Sequence, residues 1–63
     1  MLQSHVIEFQ GIFAGAAIRT ARNFRFFAVH PNVVDLHHRE WATLSEVRSA
    51  VAALLLRGGR RAA

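Results

Sequence analysis

Between His5 and Thr20 the chain reads HVIEFQGIFAGAAIRT, two apolar-rich runs that meet at Gln10-Gly11. Two alternating runs joined by a two-residue connection predict a β-hairpin. Glycine supplies the positive φ that such a turn demands. The turn also sets the register. It pairs Phe9 with Ile12 and Ile7 with Ala14, while Glu8 faces Phe13 and Val6 faces Gly15. Apolar then meets apolar on one side of the pair. Gly15 reads as a thin spot in the second strand.

The next segment, RNFRFFAVHP, holds three phenylalanines and two arginines in its first six positions. As a third strand it places Phe24 and Phe26 on one face and Arg25 and Phe27 on the other. Two turn lengths can join it to the second strand. A two-residue loop sets Ile18 opposite Arg25 and mixes the faces. A three-residue loop, Ala21-Arg22-Asn23, pairs Ile18 with Phe26 and Arg19 with Arg25. A one-residue slip turns every side chain over, so consistency of faces favours the longer loop. Asn23 tolerates the left-handed conformation that such loops use at their last position. The expected core face is Ile7, Phe9, Ile12, Ala14, Ala16, Ile18, Phe24, Phe26 and Ala28. The opposite face carries Val6, Glu8, Phe13, Gly15, Ala17, Arg19, Arg25, Phe27 and Val29.

Pro31 cannot donate to a strand ladder, so the third strand ends at or before it. Residues 33–38 read either as a short fourth strand or as an extended connection. TLSE, residues 43–46, is a capping-box sequence: Thr43 caps a helix and Glu46 reaches back to its amide. The helix runs from about Leu44 to Arg57. Leu44, Val47, Val51, Leu54 and Leu55 form one apolar stripe, which should cover the core face of the sheet. Gly58 and Gly59 offer a left-handed stop. Trp41 precedes the cap and should lid one end of the core. Leu56 falls off the stripe, exposed or used between chains. The fold class is therefore α+β: a three-stranded antiparallel meander, or a four-stranded one if residues 33–38 pair, packed against one C-terminal helix. Residues 1–57 make a single βββα domain, and residues 58–63 a flexible basic tail.

Size turns this fold toward self-association. The chain has 63 residues and no cysteine. Domains this short bury only about 60% of their unfolded surface. They commonly add disulfides, a metal or a partner subunit. Disulfides and thiolate metal sites are excluded here. The apolar content of 52% fits a chain completed by a second copy. The longest apolar run, VAALLL, is far below the ~20 residues of a membrane span. MLQSHVIEF has no basic flank leading into an apolar stretch, so no signal peptide is expected. The expected setting is cytoplasmic, with no membrane partner.

The motifs of catalysis do not appear. Four histidines, His5, His30, His37 and His38, invite a metal reading. None lie at helical i, i+4 spacing, and adjacent histidines in an extended segment point apart. Asp35 and His37 share a strand face only if that segment is a strand. Ser45 and Ser49 lack a glycine-bounded nucleophile turn. The four glycines show no phosphate-loop spacing. No enzyme activity, metal or cofactor is expected.

Two binding surfaces remain. The apolar residues Val6, Phe13, Phe27 and Val29 surround the small residues Gly15 and Ala17 on the outer face. That alternation of size suits contact with a copy of itself, and a contiguous apolar patch marks a protein interface. Leu56 is a further candidate for the oligomer contact. The formal charge is +4, carried by eight arginines. Arg19, Arg22 and Arg25 with Phe27 form a candidate nucleic-acid contact, with bases stacking on the ring. Arg19 and Arg25 as cross-strand neighbours would repel, and an acidic protein partner or a phosphate would relieve that.

The order strand-strand-strand-helix over about residues 5 to 57 resembles small three-stranded DNA-binding domains, such as the arm-binding domains of integrases and plant AP2 domains. The resemblance is one of topology, without a signature motif, and implies nucleic-acid binding. The residues themselves favour a small non-enzymatic binding module, homo-oligomeric and acting in protein interaction. Arg-dependent binding of DNA or single-stranded RNA through the outer sheet face is the alternative.

Overall fold

A computed structural model describes residues 3–58. The expected class holds: a four-stranded antiparallel meander in the order β1-β2-β3-β4, with a C-terminal helix packed against it. The strands are β1 (Ser4–Phe9), β2 (Ile12–Arg19), β3 (Phe24–Ala28) and β4 (Glu40–Trp41). The helix α1 spans Leu44–Leu56. The expected basic tail lies outside the described residues, apart from Gly58.

The first hairpin forms where the glycine turn demands it. Gln10 and Gly11 take φ of 50° and 81°, and Phe9 pairs with Ile12 and Glu8 with Phe13. Beyond that the expected register is wrong. A β-bulge leaves Ala14 as an extra residue, so Ile7 pairs with Gly15 rather than Ala14. Val6 pairs with Ala16, His5 with Ala17 and Ser4 with Ile18. A bulge sets two residues of one strand against one of the other, and the alternation of faces restarts one position later. Ala14, Gly15 and Ala17 are therefore buried, while Ala16 and Ile18 face outward instead of into the core.

Gly15 explains the bulge. A Cβ there would overlap the Phe27 carbonyl oxygen and come within 2.9 Å of Phe26 Cζ. The bare glycine lets the fully buried Phe26 ring lie against β2. The bulge also frees the Ala14 carbonyl, which accepts from Val29 N at 2.8 Å and His30 N at 3.1 Å. Those two bonds tie down the end of β3.

The same bulge reverses the choice of second turn. The chain turns at Ala21-Arg22, with Thr20 N donating to Asn23 O at 2.8 Å and Asn23 N donating to Thr20 Oγ1 at 3.1 Å. Ile18 pairs with Arg25 and Arg19 with Phe24, the register that strict alternation disfavours. Once β2 has slipped by one position, Ile18 faces outward beside Arg25 and the shorter turn keeps both faces consistent. Arg19 and Arg25 are thus neither partners nor on one face.

Residues 33–38 are not a strand. Pro31–Leu36 form a 3₁₀ segment with Pro31 in its first turn. His30 caps it, its Nδ1 accepting from Asn32 N at 3.1 Å. The segment drops the fully buried Val33 into the core. The fourth strand is Glu40–Trp41, pairing with Arg25 and Phe24.

The capping box forms as the sequence implies. Thr43 Oγ1 accepts from Glu46 N at 3.1 Å, and Glu46 Oε1 accepts from Thr43 N at 3.2 Å. Val47, Val51 and Leu54 close over Ile7, Ala14, Ala17, Phe26 and Val33 to make the core. Trp41 and Leu44 pack at its margin. Gly58, at φ 86°, ends the helix, its amide donating to Leu55 O at 3.1 Å.

Candidate functional site

The helix covers one face of the sheet only. The other face is built in rows set by the strand register. One row is Val6, Ala16 and Phe27; the next is Ser4, Ile18, Arg25 and Glu40; a third is Glu8 and Phe13. The first row is apolar across three strands, with Ile18 and Phe13 on either side of it. Val6 is 60% exposed and Phe13 46% exposed. The patch is narrower in side-chain size than expected, because Ala16 rather than Gly15 lies between Val6 and Phe27.

Phe27 is half-buried by the rings of His37 and His38, which an extended segment would point apart. His38 takes φ 70°, and this left-handed turn brings its ring onto His37 at 3.9 Å between centroids. Phe27 meets both edge-on, at 5.9 Å and 5.2 Å. His37 Nδ1 accepts from Ala28 N at 2.9 Å. Among the described residues no three His, Cys, Asp or Glu side chains gather as a metal site. Asp35 and His37 share no strand, and Ser45 and Ser49 are exposed on the helix.

The arginines are dispersed. Arg25 faces outward and binds Glu40 Oε2 through Nε at 3.0 Å and Nη2 at 2.7 Å. Asn23 Nδ2 adds a bond to Glu40 Oε1 at 3.2 Å. These donors, Arg25 first, hold the Glu40 carboxyl below its ordinary pKa of 4.5. Arg19 sits on the helix side of the sheet, its guanidinium 5.2 Å from the Phe24 ring centroid. Arg39 is placed similarly, 5.9 Å from the Trp41 ring. Arg22 is exposed at the turn tip.

Of the expected oligomer residues, Val6, Phe13 and Phe27 come together on the outer face. Val29 follows the end of β3 and is 61% exposed. Leu56 is 68% exposed but belongs to the helix layer, away from this face. Of the expected nucleic-acid residues, only Arg25 and Phe27 share a face. Sequence reasoning missed Ile18, Ala16 and Glu40 as neighbours of the patch. An isolated glycine inside a strand is the signal that could have found them, since it suggests a bulge and hence a change of face.

Among the described residues, no helix is long and apolar enough to cross a membrane. No family model, no curated protein and no solved structure matches this chain.

Proposed function

We propose that this chain is a non-enzymatic binding module that works as a homo-oligomer, with contact made through the apolar row that its helix leaves uncovered. The observation that carries this reading is the uncovered apolar row Val6–Ala16–Phe27 flanked by Phe13 and Ile18. Both faces of the sheet bear apolar rows, and one helix can cover only one of them. Isolated surface hydrophobics are ordinary, but a contiguous patch on so small a protein marks a site of contact. Small and large side chains alternate across the patch, which suits contact between two identical surfaces. Sedimentation equilibrium tests this directly. Val6→Asp adds a charge to a position that is 60% exposed and leaves the core intact. The oligomer should weaken with the fold retained. A wild-type chain that sediments as a monomer at every concentration would remove the reading.

A second reading has its own observation. Arg25–Glu40 is the only ion pair among the described residues, so the other arginines there are not neutralised by a carboxylate. Arg19, Arg22 and Arg39 offer cations around the Phe24–Trp41 end of the sheet, which suits a nucleic-acid backbone or an acidic protein. Phosphate contacts are strongest at low salt. Binding of a single-stranded oligonucleotide at low salt, lost in Arg19→Glu/Arg22→Glu, would support it. No binding at low salt ends it.

A further inference from the structure

The two edges of the sheet are treated differently. At one edge β4 is only two residues long, and Glu40 is held there by Arg25. Short strands and charged groups are the usual means of blunting an edge against further pairing. At the other edge β1 runs for six residues, SHVIEF, with no proline and no lysine. Among the described residues it has strand pairing on one side only.

The ladder shows which backbone groups that edge offers. Arg19 N donates to Gln3 O at 2.9 Å, and Phe9 pairs with Ile12 at the hairpin turn. In an antiparallel strand the bonding side alternates residue by residue. The N–H and C=O groups of the odd-numbered residues of β1 therefore face β2. Those of Ser4, Val6 and Glu8 face away from the sheet. Among the described residues none of these three has a backbone partner on that side.

We propose that a second copy of this chain pairs with β1, antiparallel about a two-fold axis at Val6, so that two four-stranded sheets become one of eight strands. This rests on the self-association reading and specifies its geometry. The register follows from the edge itself. Centring on Val6 sets Val6 against Val6 of the copy and Ser4 against its Glu8, so all three outward residues bond. Centring on His5 or Ile7 leaves one of the three without a partner within β1. Centring on Glu8 sets two carboxylates face to face, which is unfavourable. With the Val6 axis, the Ser4 hydroxyl faces a carboxylate it can bond. The apolar row then runs unbroken from Phe27 through Ala16 and Val6 into the same residues of the copy. Val6, the most exposed apolar residue within a strand, gains a hydrophobic neighbour.

The chain has no cysteine, so a single introduced thiol reports on one contact. Val6→Cys and Val29→Cys make a matched pair, because the native side chains are 60% and 61% exposed. Under mild oxidation Val6→Cys should form covalent dimer at least about tenfold faster than Val29→Cys. Residues paired across an antiparallel two-fold have Cα atoms about 5.5 Å apart, within disulfide reach. Val6→Pro adds an independent arm. It removes an outward N–H that the monomer does not use, so circular dichroism should keep its β signature while the mass falls to a monomer's. A wild-type dimer in which Val29→Cys cross-links as fast as Val6→Cys, or in which folded Val6→Pro stays dimeric, overturns the edge pairing and leaves self-association standing. A wild-type monomer overturns both.

Discussion

Replacing Gly15 with alanine adds one methyl group at the position the fold least tolerates. The new Cβ would overlap the carbonyl oxygen of Phe27 and lie 2.9 Å from Phe26 Cζ and 3.1 Å from Ala28 Cα. Two of these three neighbours are backbone, which cannot rotate aside. The third belongs to a ring with no exposed surface, held beneath Val47 and Val51. Relief therefore requires β3 to move away from β2, or the bulge to be undone. Undoing the bulge would turn Ala17 out of the core and bring Ile18 in. Overpacking a well-filled core costs about 1–3 kcal/mol, and a backbone clash belongs at or above the top of that range. The whole stability of a chain this size is about 3–9 kcal/mol, so the loss is a large fraction of it. Urea denaturation at one fixed protein concentration should show the midpoint falling steeply. A Gly15→Ala variant within about 0.5 kcal/mol of wild type would refute the claim that this glycine sets the bulge and the register.

Three further outcomes follow from the packing and the surface. Phe26→Ala, at the centre of the core, should cost about 3–5 kcal/mol and leave the chain largely unfolded by circular dichroism at room temperature. Thr43→Ala removes the cap on α1 and should cost about 1 kcal/mol in denaturant midpoint, while Thr43→Ser should cost much less. Glu40 has its pKa lowered on folding by Arg25 and Asn23, so the stability it adds is full above its ordinary 4.5 and fades as pH falls through the lower folded value. Wild type should therefore lose stability in that acid range more than Glu40→Gln does, in denaturation followed from neutral pH downward; parallel curves would count against the Arg25–Glu40 contact.

Local signals in the sequence spoke clearly. The Gln10-Gly11 turn, the capping box at Thr43 and Glu46, and the stripe Val47, Val51 and Leu54 each depend on residues close in the chain. Each has one good structural solution, and each formed. What failed was long-range register. Unbroken alternation in β2 gives one register, and one extra residue at Ala14 reverses it. That bulge depends on the Phe26 ring needing the space over Gly15, a contact between strands whose one local trace is an isolated glycine within a strand. The same bulge accounts for the misplaced Ala16, Ile18 and Arg19 and for the rejected second turn.

The candidate site was legible to a similar degree. Val6, Glu8, Phe13, Arg25 and Phe27 keep their outer positions, because they precede the bulge on β2 or lie on the other strands. Arg19 leaves that face because it follows the bulge. The fourth strand was invisible because Glu40–Trp41 is two residues long and gains its identity only by lying beside Phe24 and Arg25. The stacking of His37 on His38 hinges on a left-handed backbone at His38, uncommon outside glycine and not signalled by its neighbours.

All of this converges on whether the uncovered apolar row meets a second copy. Sedimentation equilibrium of the wild-type chain over a range of concentrations is the most direct measurement. The account predicts a species of twice the chain mass of 7.0 kDa, dissociating on dilution and weakened by Val6→Asp. A single species of 7.0 kDa at every concentration would contradict it.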